Sequence, residues 1–271
     1  TTNCLNAAQN VELVAMGDLF GDRLDRCRRQ LTEKLAGQVK VTNETCFEGW
    51  DAHKKVLGCD VDLVILTEPP QFRPSHLRAA IEAGKHVFAE KPVAVDPVGV
   101  RSVIETSQLA DQKNLTIVAG TQSRRMAYLI EGTKRIHNGD IGEIVGGQCV
   151  RIGGGMLTWS EETRQRQPGW SDMEWQLRRW LFLTWLSGDF IVEMHVHNLD
   201  RMNWVMDAHP VQCVGLGGRQ VRTGPEYGDA YDHFAVEYEY PGGVRVEYMG
   251  AQIDKVTDRQ DNRVVGTKGQ A

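Results

Sequence analysis

Residues 61–92 read VDLVILTEPPQFRPSHLRAAIEAGKHVFAEKP and predict a strand, a helix and a second strand in immediate succession. The nearly continuous apolar run Val61–Leu66 is typical of a strand that is buried on both faces, and a pair of prolines closes it. Helical spacing follows from Leu77 to Ala83, and Gly84 is placed to end that helix. The short apolar stretch His86–Ala89 then predicts the next strand.

The same alternation of strand and helix extends to both sides of this stretch. Upstream, the strand-like run Val11–Met16 precedes a helical pattern from about Asp22 to Leu35. Downstream, a helix over Pro97–Gln112 precedes the strand Leu115–Ala119. Such alternation predicts a parallel sheet with helices on both faces, which is a Rossmann-like α/β architecture. We assign residues 1–122 to this domain.

The pattern changes after a predicted helix near Met126–His137, because the strands now follow one another directly. The predicted strands are Ile144–Ile152, Val211–Leu216, Asp232–Tyr240 and Val244–Tyr248. The turn Pro241–Gly243 joins the last two strands as a hairpin. Residues 123–271 are therefore predicted to form an α+β domain with a largely antiparallel sheet.

Composition excludes several classes of protein. The chain has a formal net charge of −5 and 25% charged residues, so it lacks the clustered basic surface that nucleic acid selects. No apolar run approaches the length of about 18 to 20 residues that spans a bilayer, so we expect no membrane partner. Six scattered cysteines form no C-x-x-C pair, and we predict neither a zinc site nor a disulfide framework.

Both ends of the sequence are interpreted as truncated. The chain opens at Thr1 inside a helix-like stretch and stops at the turn-like residues 266–271. The first strand and the Gly-rich turn of a Rossmann-like domain are then missing, and we expect the fragment alone to expose unpaired strand edges. A signal segment is not legible in such a sequence, and the compartment stays open between cytoplasm and export.

Two places at strand ends carry residues suited to chemistry. Asp18 follows an apolar strand and precedes a helix, where an acid either binds the ribose hydroxyls of a dinucleotide or merely caps the helix. Glu90, Lys91 and Pro92 follow the strand His86–Ala89, and ligands bind at this edge of a parallel sheet. A charged pair before a proline is also an ordinary surface feature.

The stretch Ala83–Pro92 (AGKHVFAEKP) resembles the A-G-K-H-V-x-x-E-K-P signature of the Gfo/Idh/MocA oxidoreductases, which include glucose-fructose oxidoreductase and inositol dehydrogenases. The resemblance implies that Lys91 lies beside the nicotinamide and the substrate hydroxyl, where its ammonium stabilises a developing alkoxide or holds a proton relay. The position of Asp18 at the end of the first strand and the resemblance together imply a set of cofactor contacts. These are Asp18, Thr67, Pro70, His76, Glu90, Lys91, Pro92 and Gln122.

A second signature lies in residues 187–200 (SGDFIVEMHVHNLD), which resemble the family's D-x-x-x-H-x-x-D helix. The resemblance implies that His197 is the general base, that Glu193 replaces the usual aspartate and orients it, and that Asp200 faces the substrate. His195 departs from the small residue usual there, and it either reaches the substrate or crowds the pocket. Two alternatives remain. His197 is an ordinary core histidine, or Glu193, His195 and His197 share one face of a strand and bind a metal.

Further substrate contacts are predicted from position and chemistry. Arg124 follows the strand that ends near residue 120, in a segment that resembles the family's approach to nicotinamide and substrate, and Tyr128 lies one turn beyond it. Trp170 opens the aromatic and charged segment Trp170–Trp180, whose flat apolar faces and charges suit a sugar. The same tryptophans suit domain packing or an oligomer interface equally well.

The resemblance implies hydride transfer between a nicotinamide cofactor and a secondary alcohol of a sugar or polyol, without a metal. NAD is favoured over NADP because an acid at Asp18 repels a 2′-phosphate. Two alternatives remain open: a glycosidase that oxidises its sugar transiently, and a non-catalytic sugar or cofactor sensor. The family resemblance also implies a homo-oligomer formed through the sheet of the second domain.

Overall fold

The computed structural model describes residues 1–154 and 165–271. The α-helices are α1 (Thr2–Leu5), α2 (Gly21–Leu35), α3 (Ala52–Leu57), α4 (Arg73–Glu82), α5 (Pro97–Gln112), α6 (Ala127–His137), α7 (Asp172–Arg178), α8 (Thr184–Ser187), α9 (Asp189–Glu193) and α10 (Val196–Met206). The strands are β1 (Met16–Asp18), β2 (Cys46–Glu48), β3 (Leu63–Leu66), β4 (His86–Ala89), β5 (Ile117–Ala119), β6 (Ile144–Gly153), β7 (Gln212–Gly218), β8 (His233–Glu239), β9 (Arg245–Gln252) and β10 (Arg259–Gly266).

The chain divides into two compact units. The first unit contains Thr1–Glu68, Phe72–Val93 and Pro97–Ala119, and the second contains Pro69–Gln71, Ala94–Asp96 and Gly120–Ala271. The boundary after residue 122 that we assigned from the sequence stays a prediction. Among the described residues, no helix is both long and apolar enough to cross a membrane.

The first unit contains a parallel sheet of three strands in the order β3, β4, β5, with Val64 opposite Val87 and Val87 opposite Ile117. Its core consists of apolar side chains from these strands and from α4 and α5, chiefly Val64, Leu66, Leu77, Ala80, Ile81, Val87, Ala89 and Ala110. The helix α4 begins earlier than the spacing predicted, at Arg73, with a proline in its first turn. The predicted Rossmann-like parallel sheet is confirmed.

The first predicted strand is shorter and lies later than expected. Leu13 pairs with the chain around Val39 in an isolated bridge, whereas Met16 to Asp18 pair in parallel with Cys46 to Glu48. Because these two pairings use different partner segments, the run from residue 11 to residue 16 forms no continuous ladder. The strand β2, which the sequence did not indicate, completes a separate sheet of two strands.

The second unit contains a sheet of five strands in the order β10, β6, β9, β8, β7. The central strands β6 and β9 are parallel, and the other three pairings are antiparallel, which confirms the predicted α+β class. One face packs against α10 through a core of Ile141, Cys149, Met202, Tyr240, Val246, Tyr248 and Val264. Burial alternates along β9, so its other face is largely exposed.

Two elements of the second unit differ from the prediction. The strand β10 was missed, because charged residues interrupt its apolar pattern and only Val264 is buried. The helix predicted to run through the second signature is broken, since α9 ends at Glu193 and α10 begins at Val196. His195 lies in the break, where its backbone N–H donates to the Phe190 carbonyl oxygen at 3.0 Å.

Candidate active site

The carboxyl ends of β3 and β4 lie side by side and bring together several predicted residues. Thr67 is exposed directly after β3, and Glu90 follows β4. The Glu90 N–H donates to the Leu66 carbonyl oxygen at 3.0 Å, which ties the two strand ends together. Lys91 is half-buried, its peptide bond to the buried Pro92 is cis, and both residues continue from this edge. These residues lie at the strand ends where the sequence placed them, and their role in a site stays a prediction.

His76 is half-buried on α4 among groups that the sequence did not single out. Its Nδ1 lies 3.3 Å from Oε1 of Glu68, and its ring stacks on His53 at a centroid distance of 4.0 Å. Burial, followed by the charge of His76, lowers the pKa of His53. Pro70, the other residue predicted in this loop, is buried and belongs to the second unit.

Two carboxylates are the last residues of the neighbouring strands β1 and β2, where Asp18 pairs in register with Glu48. Oδ1 of Asp18 accepts a hydrogen bond from the Phe20 N–H at 2.8 Å, as a residue that shapes the turn before a helix does. Glu48 was not predicted, and its Oε2 would lie only 2.6 Å from a Cβ placed on Gly21. The ribose contact of Asp18 remains a prediction. The capping alternative is not adopted, because the N-cap residue of α2 is Phe20, which has no side-chain cap, and Asp18 binds the Phe20 N–H before the helix begins.

In the second unit, Glu193 and His197 are both buried at the junction of α9 and α10. Glu193 is the last residue of α9, and His197 lies in the first turn of α10. The prediction that one continuous helix carries both residues is wrong, because the break at His195 intervenes. The strand conformation that the alternative metal site requires is not adopted either.

His195 points into the core of the second unit. It is 1% exposed, its Nδ1 is hydrogen-bonded to the Tyr248 hydroxyl on β9, and its ring packs edge-on against Phe190 at 4.8 Å. Burial, helped by the charge of Arg151, lowers its pKa to about 3, so the imidazole is neutral at physiological pH. The sequence left two roles open for His195, packing and substrate contact. Such burial favours packing, and the substrate contact stays a prediction.

Arg124 and Asp200 are brought together by α10. Nη2 of Arg124 donates to Oδ1 of Asp200 at 2.9 Å, and Nε donates to Oδ2 at 3.0 Å, which is a two-pronged pairing. The guanidinium also lies 5.4 Å from the ring centroid of Trp204. Of the other predicted residues in this segment, Gln122 is exposed and Tyr128 is 70% exposed.

Trp170 stacks on Trp175 with a centroid distance of 6.2 Å, and the guanidinium of Arg178 covers its ring at 4.8 Å. Beside this stack, Trp175 and Trp185 line an open cleft of about 300 Å³, and the Trp185 Nε1–H donates to Oε1 of Gln176 at 2.8 Å. The aromatic surface is therefore partly packed on itself and partly open, and both interpretations of the segment remain.

A buried polar network under α10 was not predicted. Asn198, which is fully buried, donates from Nδ2 to Oδ1 of Asn262 on β10 at 2.9 Å, and Asn262 returns a bond of 2.7 Å to the Asn198 carbonyl oxygen. Nη1 of Arg151 donates to Oδ1 of Asn198 at 3.3 Å. The sequence signal for this network was Asn198 itself, which directly follows His197. Its partners lie tens of residues away in the chain, so the sequence did not identify them.

Each unit carries its own group of side chains that are suited to chemistry. A lysine at a parallel strand edge supplies a cation that stabilises negative charge on a reacting oxygen. In the second unit, an imidazole at a helix start is a side chain that can accept a proton, and the paired Arg124 and Asp200 supply donors and acceptors for hydroxyl groups. In the first unit, carboxylates and a hydroxyl lie at the carboxyl ends of parallel strands in both sheets, β1–β2 and β3–β4–β5, and ligands such as dinucleotides bind at such ends.

Comparisons with known proteins cover both units. Residues 25–121 match the model of the oxidoreductase family with an NAD-binding Rossmann fold, GFO_IDH_MocA. Residues 132–271 match the GFO/IDH/MocA C-terminal domain. These matches agree with the sequence signatures and with the cofactor class predicted from them.

Individual relatives are more distant. The chain is 26% identical over 211 residues to 2,7-anhydro-N-acetylneuraminate hydratase of Escherichia coli, covering 78% of this chain and 50% of the relative. It is 27% identical over 237 residues to inositol 2-dehydrogenase 3 of Saccharopolyspora erythraea, covering 87% and 57%. The chain thus spans about half the length of the curated relatives it matches.

Among solved structures, scyllo-inositol dehydrogenase from Lactobacillus casei with bound NAD(H) and scyllo-inositol superimposes with a TM-score of 0.72. The similarity covers 100% of this chain and 70% of that one, at 20% sequence identity. At this identity the likeness establishes the fold.

Proposed function

Because the chain belongs to the Gfo/Idh/MocA family of oxidoreductases with an NAD-binding Rossmann fold, we propose that it transfers a hydride between NAD and a secondary alcohol of a sugar or polyol. The observation that carries this proposal is the placement of Glu90, Lys91 and Pro92 at the carboxyl end of β4, the middle strand of the parallel sheet. In parallel sheets this edge receives the ligand.

The proposed chemistry assigns one task to each residue. In the oxidation direction the alcohol carbon loses a hydride and its hydroxyl loses a proton. His197 accepts that proton, Glu193 orients the imidazole, and the Lys91 ammonium stabilises the negative charge that develops on the oxygen. The nicotinamide cofactor supplies the hydride acceptor when it is bound, and Asp18 binds its ribose hydroxyls.

A second function is favoured by a specific finding. The similarity to 2,7-anhydro-N-acetylneuraminate hydratase supports an alternative in which hydride transfer to the cofactor is transient and the net reaction breaks or forms a bond to the sugar. The same lysine and histidine serve both outcomes. A third candidate, a sugar or cofactor sensor, needs binding but no turnover.

One experiment separates these candidates. NADH fluorescence is titrated with the purified protein, and the protein with NAD is then incubated with a panel of sugars, polyols and chromogenic glycosides. NADH that accumulates with one sugar supports the dehydrogenase, and glycoside cleavage without net NADH supports the transient-oxidation enzyme. If the folded protein binds neither NAD(H) nor NADP(H), both enzyme proposals fail.

The open face of the second unit's sheet supports the proposal of a homo-oligomer. Val214, Leu216 and Met249 are exposed there, with relative accessibilities of 70%, 70% and 51%. Arg245 pairs with Glu239 at 3.0 Å on the same face, which gives a mixed surface that a second copy would cover. Light scattering of wild type and Leu216→Glu tests this, and a monomeric wild type would contradict it.

A further inference from the structure

Arg73, the first residue of α4, is only 2% exposed. Arginine is among the residues that proteins bury completely least often, because an ionised guanidinium loses its hydration unless hydrogen bonds replace it. The site at which Arg73 is buried therefore has to supply acceptors in a fixed arrangement.

Those acceptors are two backbone carbonyl oxygens from the candidate active site. Nη1 of Arg73 donates to the Pro92 carbonyl oxygen, and Nη2 donates to the Glu68 carbonyl oxygen. Pro92 directly follows Lys91 beyond β4, and Glu68 directly follows Thr67 beyond β3. One planar side chain thus joins the two segments that leave the neighbouring parallel strands.

The geometry of a guanidinium suits this task. Its donors lie in a rigid plane, so two acceptors that it binds at once are fixed in relative position. An ammonium is a point charge on a flexible chain, and it does not reproduce the fork. Carbonyl groups beyond the last strand pairing have no ladder partner of their own, and buried ones require a donor. Arg73 supplies it to both segments.

We infer that Arg73 is a positioning residue that sets the placement of Lys91 relative to the segment after β3. The inference rests on the proposed function in that Lys91 is taken as the residue next to the reacting oxygen. Arg73 itself contacts backbone, so it acts on the reaction through Lys91. Since a displacement of about 1 Å can cost about 100-fold in rate, loss of the fork has a kinetic signature.

A double-mutant cycle tests this role. Arg73→Lys, Lys91→Ala and the double variant are compared with wild type in kcat and KM for the best substrate. We expect Arg73→Lys to lower kcat about 10-fold or more in the wild-type background and to have almost no further effect in Lys91→Ala. Equal losses in both backgrounds, or a kcat unchanged from wild type, would overturn the inference.

A measurement without turnover keeps this test independent of the proposed function. The rate at which an amine-reactive reagent modifies Lys91 is followed by mass spectrometry, with Lys85 as the internal reference. We expect a several-fold faster modification of Lys91 in Arg73→Lys, because the half-buried lysine is no longer held in place. An unchanged rate of Lys91 modification would count against the positioning role of Arg73 even if the wild type is active.

Matched variants exclude a general loss of folding. Arg78 lies on the same helix, is partly exposed and pairs with Glu82 at 2.5 Å, so Arg78→Lys is expected to match wild type in every readout. Arg73→Gln, which retains a donor but no charge, serves if Arg73→Lys unfolds. If the wild type transfers no hydride but Lys91 labelling changes as expected, the positioning role of Arg73 is supported and the proposed function fails.

Discussion

The strand edge of the first unit and the α9–α10 segment of the second unit hold their candidate residues by different means. At the strand edge, the chain is held by hydrogen bonds to backbone atoms, as in the bond from Glu90 N–H to the Leu66 carbonyl oxygen. In the α9–α10 segment they run between side chains, from His195 to Tyr248 and from Asn198 to Asn262.

This difference separates function from stability in one unit and couples them in the other. A side chain on a segment held through its backbone is removed without loosening the segment. A side chain that is itself part of a buried network leaves partners without hydrogen bonds when it is removed, and this costs free energy. The three predictions below use substitutions that break or sharpen this contrast.

Lys91→Ala is expected to have the largest effect, and on activity alone. Loss of a cation beside the developing negative charge is expected to lower kcat by about 10²- to 10³-fold. The free energy of unfolding is expected to change by less than about 1 kcal/mol, since Lys91 is half-buried. Steady-state kinetics and denaturant unfolding measure the two quantities.

The control for this prediction is Lys85→Ala, which removes another half-buried lysine just before β4. We expect it to resemble wild type in both measurements. If Lys91→Ala lowers stability as strongly as it lowers activity, the strand edge is not held through its backbone and the contrast fails.

Asn198→Ala is expected to give the opposite pattern, a loss of stability. The substitution removes a fully buried side chain that is the partner of Asn262 and of Arg151. We expect the free energy of unfolding to fall by about 2 to 3 kcal/mol, as for other buried polar groups left unpaired. Denaturant unfolding checks this, with Gln108→Ala on the exposed face of α5 as the control.

Activity sharpens the second prediction, because Asn198 adjoins His197. We expect Asn198→Ala to lower kcat as well as stability, since the helix start that carries His197 rests on the same network. An Asn198→Ala protein as stable as the Gln108→Ala control would show that the second unit is not organised by these side chains.

The same contrast explains how much the sequence predicted. The alternation of strands and helices and the Glu90–Pro92 motif are local patterns, and backbone pairing places them without further information. The contact of His195 with Tyr248, the bond from Arg73 to the Pro92 carbonyl oxygen and the bonds from Asn198 depend on partners outside the local pattern. No spacing rule predicts that Tyr248 lies under His195, so the helix was expected to continue.

The strands followed the same rule. Leu63–Leu66 and Arg245–Gln252 carry clear apolar patterns and were found close to their predicted positions. The strand β10 was missed because one face bears charges such as Asp261 and Arg263, and β2 was missed because three residues carry too little pattern. Tertiary pairing, rather than local propensity, makes both of them strands.

The last prediction concerns the pH dependence of stability and His195. Its pKa is about 3 in the folded protein because of burial, followed by the charge of Arg151, whereas the unfolded chain has a pKa near 6.5. Between these values the unfolded chain binds a proton that the folded protein does not bind. The free energy of unfolding therefore falls as the pH is lowered from about 6.5 toward 3.

One proton of difference corresponds to a slope of about 1.4 kcal/mol per pH unit. His195→Asn removes this titration. The free energy of unfolding of the variant is therefore expected to vary less steeply with pH than that of wild type, and the slopes differ by at most this amount. Asp189 acts in the opposite direction, because burial raises its pKa to about 6 and its contribution to stability is lost as the pH rises through that value. The comparison of variant with wild type therefore carries the test, since Asp189 is common to both.

Denaturant unfolding between pH 4 and 8 measures both slopes, and His209→Asn, which replaces an exposed histidine after α10, is the control. We expect the control to follow wild type. Equal slopes in His195→Asn and wild type would mean that His195 takes up its proton in the folded state. Burial and the charge of Arg151 disfavour a charged imidazole at this place. The helix break would then open to water, and the side-chain contacts assigned to the second unit would not hold it.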